Sequence, residues 1–362
     1  MTSEELAVPA AVDQAALDDL RRRLDATRRV PLPAGHGWSR GTEPDYLADL
    51  LRAWRDFDWR PHEQRLRALP WVLAGTGDRV LRAVHQRAAG DAPAVVLLHG
   101  WPDSFLRYDR VLPLLTDLDV VVPCLPGYPW AAGPPGSGLP ATEMAEVIAE
   151  AMAELGHRRY VVSGGDIGSG VAEALAAAHP DRVAALHLTN VPPGHLQTEP
   201  DDLTDEERRY LDAARAWQQA EGAYAHQQST KPYTLAVGLN DSPAGLAAWV
   251  VEKLRSWSDC GGDVEAVWPR PDLLTWLTVY WLSGTIGTSF TPYVERRTPA
   301  GRVEVPTVVT SFPLDLVYAP RRLAERVFDL REWDEEPTGG HFAAWERPEA
   351  FVAGLRKAVA LG

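Results

Sequence analysis

Apolar residues recur at helical spacing in the first part of the chain. Their positions predict three amphipathic helices, over residues 13–27, 45–54 and 60–69. In the first of these, Leu17, Leu20 and Leu24 fall on one face, and Asp13 precedes them as the capping residue. A stretch rich in proline and glycine, residues 31–37, separates the first helix from the second. The chain therefore begins with a helical segment.

From about residue 70 the pattern changes to short apolar runs that alternate with helical periods. The runs predict strands over residues 80–85, 94–98, 120–122, 160–162, 184–188, 306–311 and near 327–330. The helical periods predict helices over residues 105–115, 141–155, 171–178 and 348–361. This alternation predicts an α/β fold with a mostly parallel, doubly wound sheet and right-handed crossovers. Ligands of such sheets bind at the carboxyl ends of the strands.

The alternation stops between about residues 190 and 300. This stretch has helical patterns, is rich in tryptophan and is punctuated by proline, which indicates a helical cap inserted over the sheet. The predicted organisation is a helical segment at 1–70, a first part of the core at 71–190, the cap at 191–300 and a second part of the core at 301–362.

Composition and charge narrow the class of protein. The chain has 362 residues, of which 45% are hydrophobic and 24% charged, as in globular proteins. A net charge of −14 argues against nucleic acid or an anionic membrane as a partner. Cys124 and Cys260 are too few for a disulfide framework. With neither an apolar signal segment nor an apolar run long enough to span a bilayer, we expect a cytoplasmic protein.

Asp166 stands at a turn where many hydrolases carry serine. Residues 160–170 are typical of a buried strand, a glycine-rich turn and a helix, with the carboxylate at the apex of a G-x-nucleophile-x-G pattern. A carboxylate can attack a saturated carbon and leave an alkyl ester that water then cleaves. The substrate would be an epoxide or an alkyl halide. In the alternative interpretation Asp166 caps the following helix. A serine hydrolase is disfavoured because Ser163 and Ser169 only flank the apex.

Three other positions could complete a catalytic site. The loop His99-Gly100-Trp101-Pro102 follows a predicted strand, and a backbone N–H there and that of Ile167 would form an oxyanion hole. His341 lies in a glycine loop after the last predicted strand, in the chain order of a hydrolase histidine. The acid that orients the imidazole should follow the 306–311 strand, where Asp315 is favoured over Asp329 and Asp334. His85, His179 and His187 are interpreted as structural.

Taken together, these motifs closely resemble those of the epoxide hydrolases of the α/β-hydrolase fold, in their microsomal-type branch. The resemblance covers nearly the whole chain and rests on the following stretches: Gly164-Gly165-Asp166, His99-Gly100-Trp101-Pro102, Ser311-Phe312-Pro313-Leu314-Asp315, Gly340-His341-Phe342-Ala343-Ala344 and the cap stretches Thr230-Lys231-Pro232 and Asn240-Asp241-Ser242-Pro243. It implies that the first 70 residues are an N-terminal meander that wraps the fold. It also implies two cap tyrosines that hold the epoxide oxygen, here Tyr224 and Tyr293.

Two departures from the family pattern affect the predicted pocket. Ile167 follows the nucleophile where members of this branch often carry tryptophan, and Pro129-Trp130 replaces a more usual loop ending after Tyr128. We therefore include Tyr128 and Trp130 with Trp101, Ile167 and the two tyrosines as substrate-binding residues. The altered loops and aromatic cap suggest a bulky aromatic epoxide, such as a natural-product intermediate of secondary metabolism.

The resemblance implies that Asp166 opens an epoxide, that His341 activates water to cleave the ester, and that the product is a vicinal diol. The partners are then the epoxide and water, without metal or organic cofactor, and the sequence has no zinc-ligand spacing or dinucleotide fingerprint. A homodimer is expected from base rates alone. Two alternatives stay open: a haloalkane or haloacid dehalogenase with the same nucleophile, and a non-catalytic ligand-binding protein on this fold.

Overall fold

One eight-stranded sheet lies at the centre of the chain. The computed structural model describes residues 6–31, 33, 35–133, 136, 138–191, 195, 200–294 and 301–362. The strands are β1 Trp71–Ala74, β2 Leu81–Gln86, β3 Ala94–Leu98, β4 Asp119–Pro123, β5 Tyr160–Gly164, β6 Val183–Leu188, β7 Val303–Ser311 and β8 Phe328–Glu335. Parts of the predicted cap, residues 192–194, 196–199 and 295–300, and the first five residues of the predicted N-terminal segment lie outside the described residues.

The strand order is β1-β2-β4-β3-β5-β6-β7-β8, and β3 to β8 are parallel to one another. Strand β2 runs antiparallel to both of its neighbours, β1 and β4. Every residue of β3, β5 and β6 is buried, as expected for a parallel sheet covered on both faces. The predicted mostly parallel sheet is confirmed, and the carboxyl ends of six strands meet at one edge.

Fourteen α-helices occur among the described residues. They are α1 Gln14–Asp25, α2 Pro44–Arg55, α3 Trp59–Arg67, α4 Ala141–Glu154, α5 Ile167–Ala178, α6 Asp205–Glu221, α7 Ala223–Thr230, α8 Pro232–Asp241, α9 Pro243–Ser256, α10 Arg270–Ser283, α11 Thr291–Val294, α12 Arg321–Val327, α13 Ala343–Glu346 and α14 Pro348–Leu361. Helices α4 and α5 pack together, and α14 packs on β6 and β7. Helices α6 to α11 lie between β6 and β7 in the chain, where the cap is predicted, and are called the cap helices.

The cap is held from both sides. On the outside, α1 and α2 pack on α9, and the buried indole of Trp54 donates to Thr278 Oγ1 at 2.8 Å. On the inside, α10 reaches the loop after β3, where Trp276 Nε1 donates to the Pro102 carbonyl at 2.7 Å and Tyr280 donates to the Asp103 carbonyl at 2.6 Å. The cap is therefore bonded directly to a loop at the carboxyl edge of the sheet.

Some predicted elements need correction. Residues 105–115 do not form an α-helix but two short 3₁₀ turns, Phe105–Tyr108 and Leu112–Leu114. Pro113 gives the reason, because it lacks an N–H and its ring would clash with the carbonyl four residues earlier in an α-helix. Asp13 occupies the N-cap position of α1, but its side chain makes no capping hydrogen bond. The short strand β1 and the helix α12 were not predicted.

Among the described residues, no helix combines the length and the apolar character needed to cross a bilayer.

Candidate active site

The turn between β5 and α5 presents Asp166 at the carboxyl edge of the sheet. Asp166 has φ 57° and ψ −130°, a left-handed conformation that costs a non-glycine residue about 1–3 kcal/mol. Its side chain makes no capping bond to α5, so the capping interpretation is wrong. The tight turn depends on Gly168, since a Cβ there would lie 2.1 Å from the Leu98 carbonyl oxygen. The strained turn thus holds the carboxylate at its apex, and the carboxylate does not cap α5.

Two backbone N–H groups stabilise the Asp166 carboxylate. The N–H of Trp101 donates to Oδ1 at 2.8 Å, and the adjacent N–H of Ile167 helps to stabilise the negative charge. Gly100 permits this approach, because a Cβ there would lie 2.4 Å from Asp166 Oδ1. Burial alone would raise the pKa of Asp166, but His341 and these N–H groups lower it below its usual 3.8. The carboxylate is therefore ionised at neutral pH.

His341 lies between two carboxylates. Its Nδ1 is 2.6 Å from Asp315 Oδ1, and its Nε2 is 3.2 Å from Asp166 Oδ2 without the alignment of a hydrogen bond. Only 2% of the imidazole is exposed. Burial lowers its pKa, but the charges of Asp315 and Asp166 outweigh burial and raise the pKa to about 10. The resting site therefore holds an imidazolium between two carboxylates.

The rival acids lie elsewhere. Asp329 and Asp334 are both on β8, where they pair with Arg331 and Lys357. The structure thus brings Asp315, and neither rival, to His341.

Two cap tyrosines converge on the same region. Tyr224 in α7 stacks on Trp101, with ring centroids 5.5 Å apart, and Tyr293 in α11 meets the same indole edge-on at 6.1 Å. A hydrogen bond joins the two phenols. Burial, followed by the negative charge of Asp166, raises the pKa of Tyr224, and burial likewise raises that of Tyr293. Both phenols are therefore protonated at neutral pH and can donate a hydrogen bond.

Tyr128 and Trp130, the two residues predicted from the altered loop, pack against different aromatic rings. Tyr128 is fully buried against His99, its pKa is raised by burial and by the charge of Asp166, and its hydroxyl has no hydrogen-bond partner among the described residues. Trp130 instead packs on Trp71 and Phe105, near the antiparallel end of the sheet. Its predicted place in the substrate pocket stays a prediction. Ile167 is partly exposed beside the carboxylate.

Several residues near the site were not predicted from the sequence. Asn190, two residues after β6, accepts from the Asp166 N–H at 3.2 Å and so helps to hold the strained turn. A polar residue at the carboxyl end of a buried strand is a signal that could have identified it. Trp257 packs on Tyr224 at 5.0 Å and edge-on to His341 at 5.3 Å, and the Lys253 ammonium lies 5.0 Å from the Tyr224 ring.

A cavity of about 870 Å³ opens between the loop at Trp38 and the cap helices. Tyr224 and Lys253 form part of its wall, whereas Asp166, His341 and Asp315 do not. The cavity therefore borders the cap tyrosine and not the carboxylate.

The histidines interpreted as structural have partners of their own. His187 and His179 bond to residues of neighbouring strands and helices. His85 and His157 share a hydrogen bond of 3.2 Å between their Nε2 atoms at the other end of the sheet, and Asp119 lies beside them. These three could in principle hold a metal ion, but the imidazoles are already partnered and Asp119 accepts from the Ala88 N–H at 2.7 Å.

Comparison with known proteins points to one family. A model described as epoxide hydrolase N terminus matches residues 7–108, and one for the alpha/beta hydrolase fold matches residues 93–241. The putative epoxide hydrolase of Stigmatella aurantiaca (strain DW4/3-1) is 36% identical over 96% of this chain and 83% of its own length. Epoxide hydrolase 1 of Oryctolagus cuniculus is 28% identical, over 95% and 86%.

Solved structures agree. The epoxide hydrolase of Aspergillus niger superposes with a TM-score of 0.86 at 28% identity, over 99% of this chain and 98% of its own. The juvenile hormone epoxide hydrolase of Bombyx mori gives a TM-score of 0.86 at 26% identity, over 97% and 93%. The α/β-hydrolase fold predicted from the sequence is confirmed.

Proposed function

The chain belongs to the epoxide hydrolase family and converts an epoxide to a vicinal diol, and we propose that Asp166 is its nucleophile. One observation carries the proposal. Asp166 Oδ1 is held by the Trp101 N–H at 2.8 Å while Oδ2 faces His341 at 3.2 Å, so one oxygen is fixed and the other is free to react. This arrangement suits the formation and cleavage of an ester on the same carboxylate.

In the first step, Oδ2 of Asp166 forms a bond to one epoxide carbon as the bond from that carbon to the ring oxygen breaks. The ring oxygen takes a proton from one phenol of the Tyr224–Tyr293 pair, which leaves a tyrosinate. A phenol is a suitable acid here because it is neutral at pH 7 and close enough in pKa to the developing alkoxide to donate its proton. The result is a hydroxyalkyl ester on Asp166.

Ester formation changes the charge around His341. The free enzyme holds an imidazolium because Asp315 and Asp166 are both negative. Once Asp166 is an ester, one of those negative charges is gone and the pKa of His341 falls. The imidazolium then gives its proton to the tyrosinate, which becomes a neutral phenol again. The imidazole is then neutral and can act as a base, with Asp315 still orienting it at 2.6 Å.

In the second step, His341 takes a proton from water as the water oxygen bonds to Cγ of Asp166. The oxyanion develops on Oδ1, to which the Trp101 N–H already donates, and the neighbouring Ile167 N–H is the second proposed donor; each such donor is typically worth about 3 kcal/mol. The Cγ–Oδ2 bond then breaks, and the proton on the newly added oxygen passes to the departing diol. Carboxylate and imidazolium are thereby restored.

The substrate we propose is an aromatic epoxide of some bulk. Support comes from the rings around the reacting groups, chiefly Trp101, Trp257 and the two tyrosines. The buried Tyr128 hydroxyl, which has no hydrogen-bond partner in the part of the chain that the structure describes, adds to it. A halide-releasing function is not favoured, since Ile167 offers no side-chain donor to a leaving halide. A cytoplasmic location, a homodimer and a role in secondary metabolism stay proposals from the sequence.

A single turnover in ¹⁸O-labelled water tests the covalent route. Enzyme is mixed in excess with an epoxide it hydrolyses, chosen from a panel that begins with styrene oxide and includes chloroalkanes as dehalogenase controls. One diol oxygen should come from Asp166, so the first product is unlabelled and the label appears in the Asp166 peptide. Label in the diol at the first turnover would instead establish direct attack by water.

A further inference from the structure

Two charged side chains hold the backbone around His341. Glu346 accepts from the N–H of Gly340 at 3.0 Å and from that of Phe342 at 2.9 Å, the residues immediately before and after the histidine. Arg107 donates through NH2 to the carbonyl of His341 itself at 2.8 Å. Three backbone groups around the imidazole, the Gly340 N–H, the Phe342 N–H and the His341 carbonyl, are thus bound by charged side chains.

Glu346 also joins this loop to the cap. Its Oε2 accepts from the Asp259 N–H at 2.7 Å, and the His341 N–H donates to the Trp257 carbonyl at 2.8 Å. Asp259 and Trp257 lie just after α9. The histidine loop is therefore aligned against a fixed segment of the cap.

Arg107 joins the loop to the nucleophile turn. Its guanidinium is 1% exposed and pairs with the fully buried Asp103, which balances its charge. A Cβ on Gly165 would lie 3.2 Å from Arg107 NH2, so the guanidinium packs directly behind the residue that precedes Asp166. One side chain thus contacts both the loop of the base and the turn of the nucleophile.

The loop needs such support because two glycines precede the histidine. Gly339 has φ 116°, a conformation that glycine adopts readily and other residues rarely do, and Gly340 follows it. Catalytic groups lose about 100-fold in rate when displaced by about 1 Å. Neither Arg107 nor Glu346 touches a reacting atom, so any effect on the reaction must pass through His341.

We propose that Arg107 and Glu346 are positioning residues for His341 and act selectively on ester hydrolysis. This inference rests on the proposed function, in which His341 serves as a base only after the ester has formed. Loss of the support should leave ester formation on Asp166 nearly unchanged and slow its cleavage. A purely structural role would lower both steps together or neither.

The test uses Glu346→Gln, which keeps the shape of the side chain but removes its charge and one acceptor. Rapid quenching under single-turnover conditions, followed by mass analysis of the Asp166 peptide, gives the rates of ester formation and loss separately. We expect formation within about threefold of the parent and cleavage slowed about 10- to 100-fold, so the ester accumulates. Glu349→Gln, the same change at an exposed position three residues on, should leave both rates unchanged.

Arg107 is tested by Arg107→Lys, which keeps a positive charge opposite Asp103 but not the planar fork, and by the charge-neutral pair Asp103→Asn with Arg107→Met. We expect cleavage to slow less in the lysine variant than in the pair, while thermal unfolding establishes that each is folded. If Glu346→Gln does not fold, the rates of ester formation and cleavage in the Arg107 variants test the proposal instead.

Equal slowing of both steps, or no change in cleavage, in the folded variants would overturn the proposal. His341→Gln separates this from failure of the proposed function. If no ester can be trapped on Asp166 in that variant, the covalent mechanism itself is wrong. If the ester is trapped there but does not accumulate in the Glu346 and Arg107 variants, only the positioning role is wrong.

Discussion

Two buried histidines in different regions of the molecule have opposite charge states. His341, in the loop after β8, has its pKa raised to about 10, while His187, the fifth of the six residues of β6, has its pKa lowered by burial to about 3. Both are almost inaccessible to water. Burial alone keeps the imidazole of His187 neutral, whereas the carboxylates that face His341 outweigh burial and keep it charged.

The surroundings of His187 contain hydroxyls in place of carboxylates. Its Nδ1 lies 2.9 Å from Ser163 Oγ on β5 and its Nε2 lies 3.1 Å from Thr310 Oγ1 on β7, so a neutral ring links three strands. A neutral imidazole can donate one hydrogen bond and accept another, which matches two hydroxyls. Histidine thus joins neighbouring strands by hydrogen bonds at position 187, whereas at position 341 it is the proposed catalytic base.

The largest expected effect comes from His341→Gln. Ester cleavage should slow at least about 1,000-fold because the base is lost, while the ester forms and remains on Asp166. Mass measurement of the intact protein after mixing with epoxide should show one stoichiometric adduct. Continued turnover without an adduct would contradict the assignment of His341 as base.

Asp315→Asn should have the next largest effect. It removes the carboxylate 2.6 Å from Nδ1, so the pKa of His341 falls and the imidazole loses the partner that fixes its tautomer. Ester cleavage should slow about 100-fold or more, measured in single turnovers across pH. Asp334→Asn, on β8, is the matched control and should leave cleavage unchanged.

Replacing one cap tyrosine should have a smaller effect on the other half of the reaction. Tyr224→Phe or Tyr293→Phe should slow ester formation about 10- to 100-fold, because one phenol remains to bind the oxygen. Ester cleavage should change little. Tyr233→Phe, at a position that is 78% exposed on the cap, is the control. Equal effects of all three would remove Tyr224 and Tyr293 from the mechanism.

Stability against pH should show opposite slopes for the two histidines. The raised pKa of His341 gives stability that is complete below about pH 6.5 and is lost as pH rises through about 10. The lowered pKa of His187 gives the reverse, because the unfolded chain takes up a proton as pH falls below about 6.5 toward 3. Urea unfolding of the parent against His341→Gln and His187→Gln at several pH values measures both differences. Parallel slopes would refute the contrast in charge.

The smallest effect on turnover is expected from His187→Gln. The rates of ester formation and cleavage should stay within about threefold of the parent. The free energy of unfolding should fall by about 1–3 kcal/mol, since Ser163 and Thr310 lose a buried partner. A loss of activity as large as that of His341→Gln would show that the two regions are coupled.

The regular part of the fold could be predicted from the sequence. Continuous apolar runs such as Ala94–Leu98 mark parallel strands, and the predicted bounds of that strand agree with the structure. The helix predicted over residues 105–115 was wrong because the apolar spacing was given more weight than Pro113. Strand β1 was missed because its four residues are too few for a clear pattern. The division of the chain at residues 70, 190 and 300 stays a prediction.

Parts of the active site could also be inferred, but not its contacts. The glycine turn at Asp166 and the glycine loop at His341 have recognisable local patterns. The stacking of Trp130 on Phe105 could not be predicted, because neighbours in sequence do not reveal which side of a loop faces a cavity. Arg107 and Glu346 were missed because they act on backbone groups 234 residues away and four to six residues away, respectively, and such pairings have no sequence periodicity.

The hydrogen bonds from Trp276 and Tyr280 to the loop after β3 have a consequence for how molecules pass in and out. Because α10 is bonded to this loop, the cap cannot move away from the sheet in every catalytic cycle without breaking buried hydrogen bonds. Epoxide and diol should therefore enter and leave without a separation of α10 from this loop.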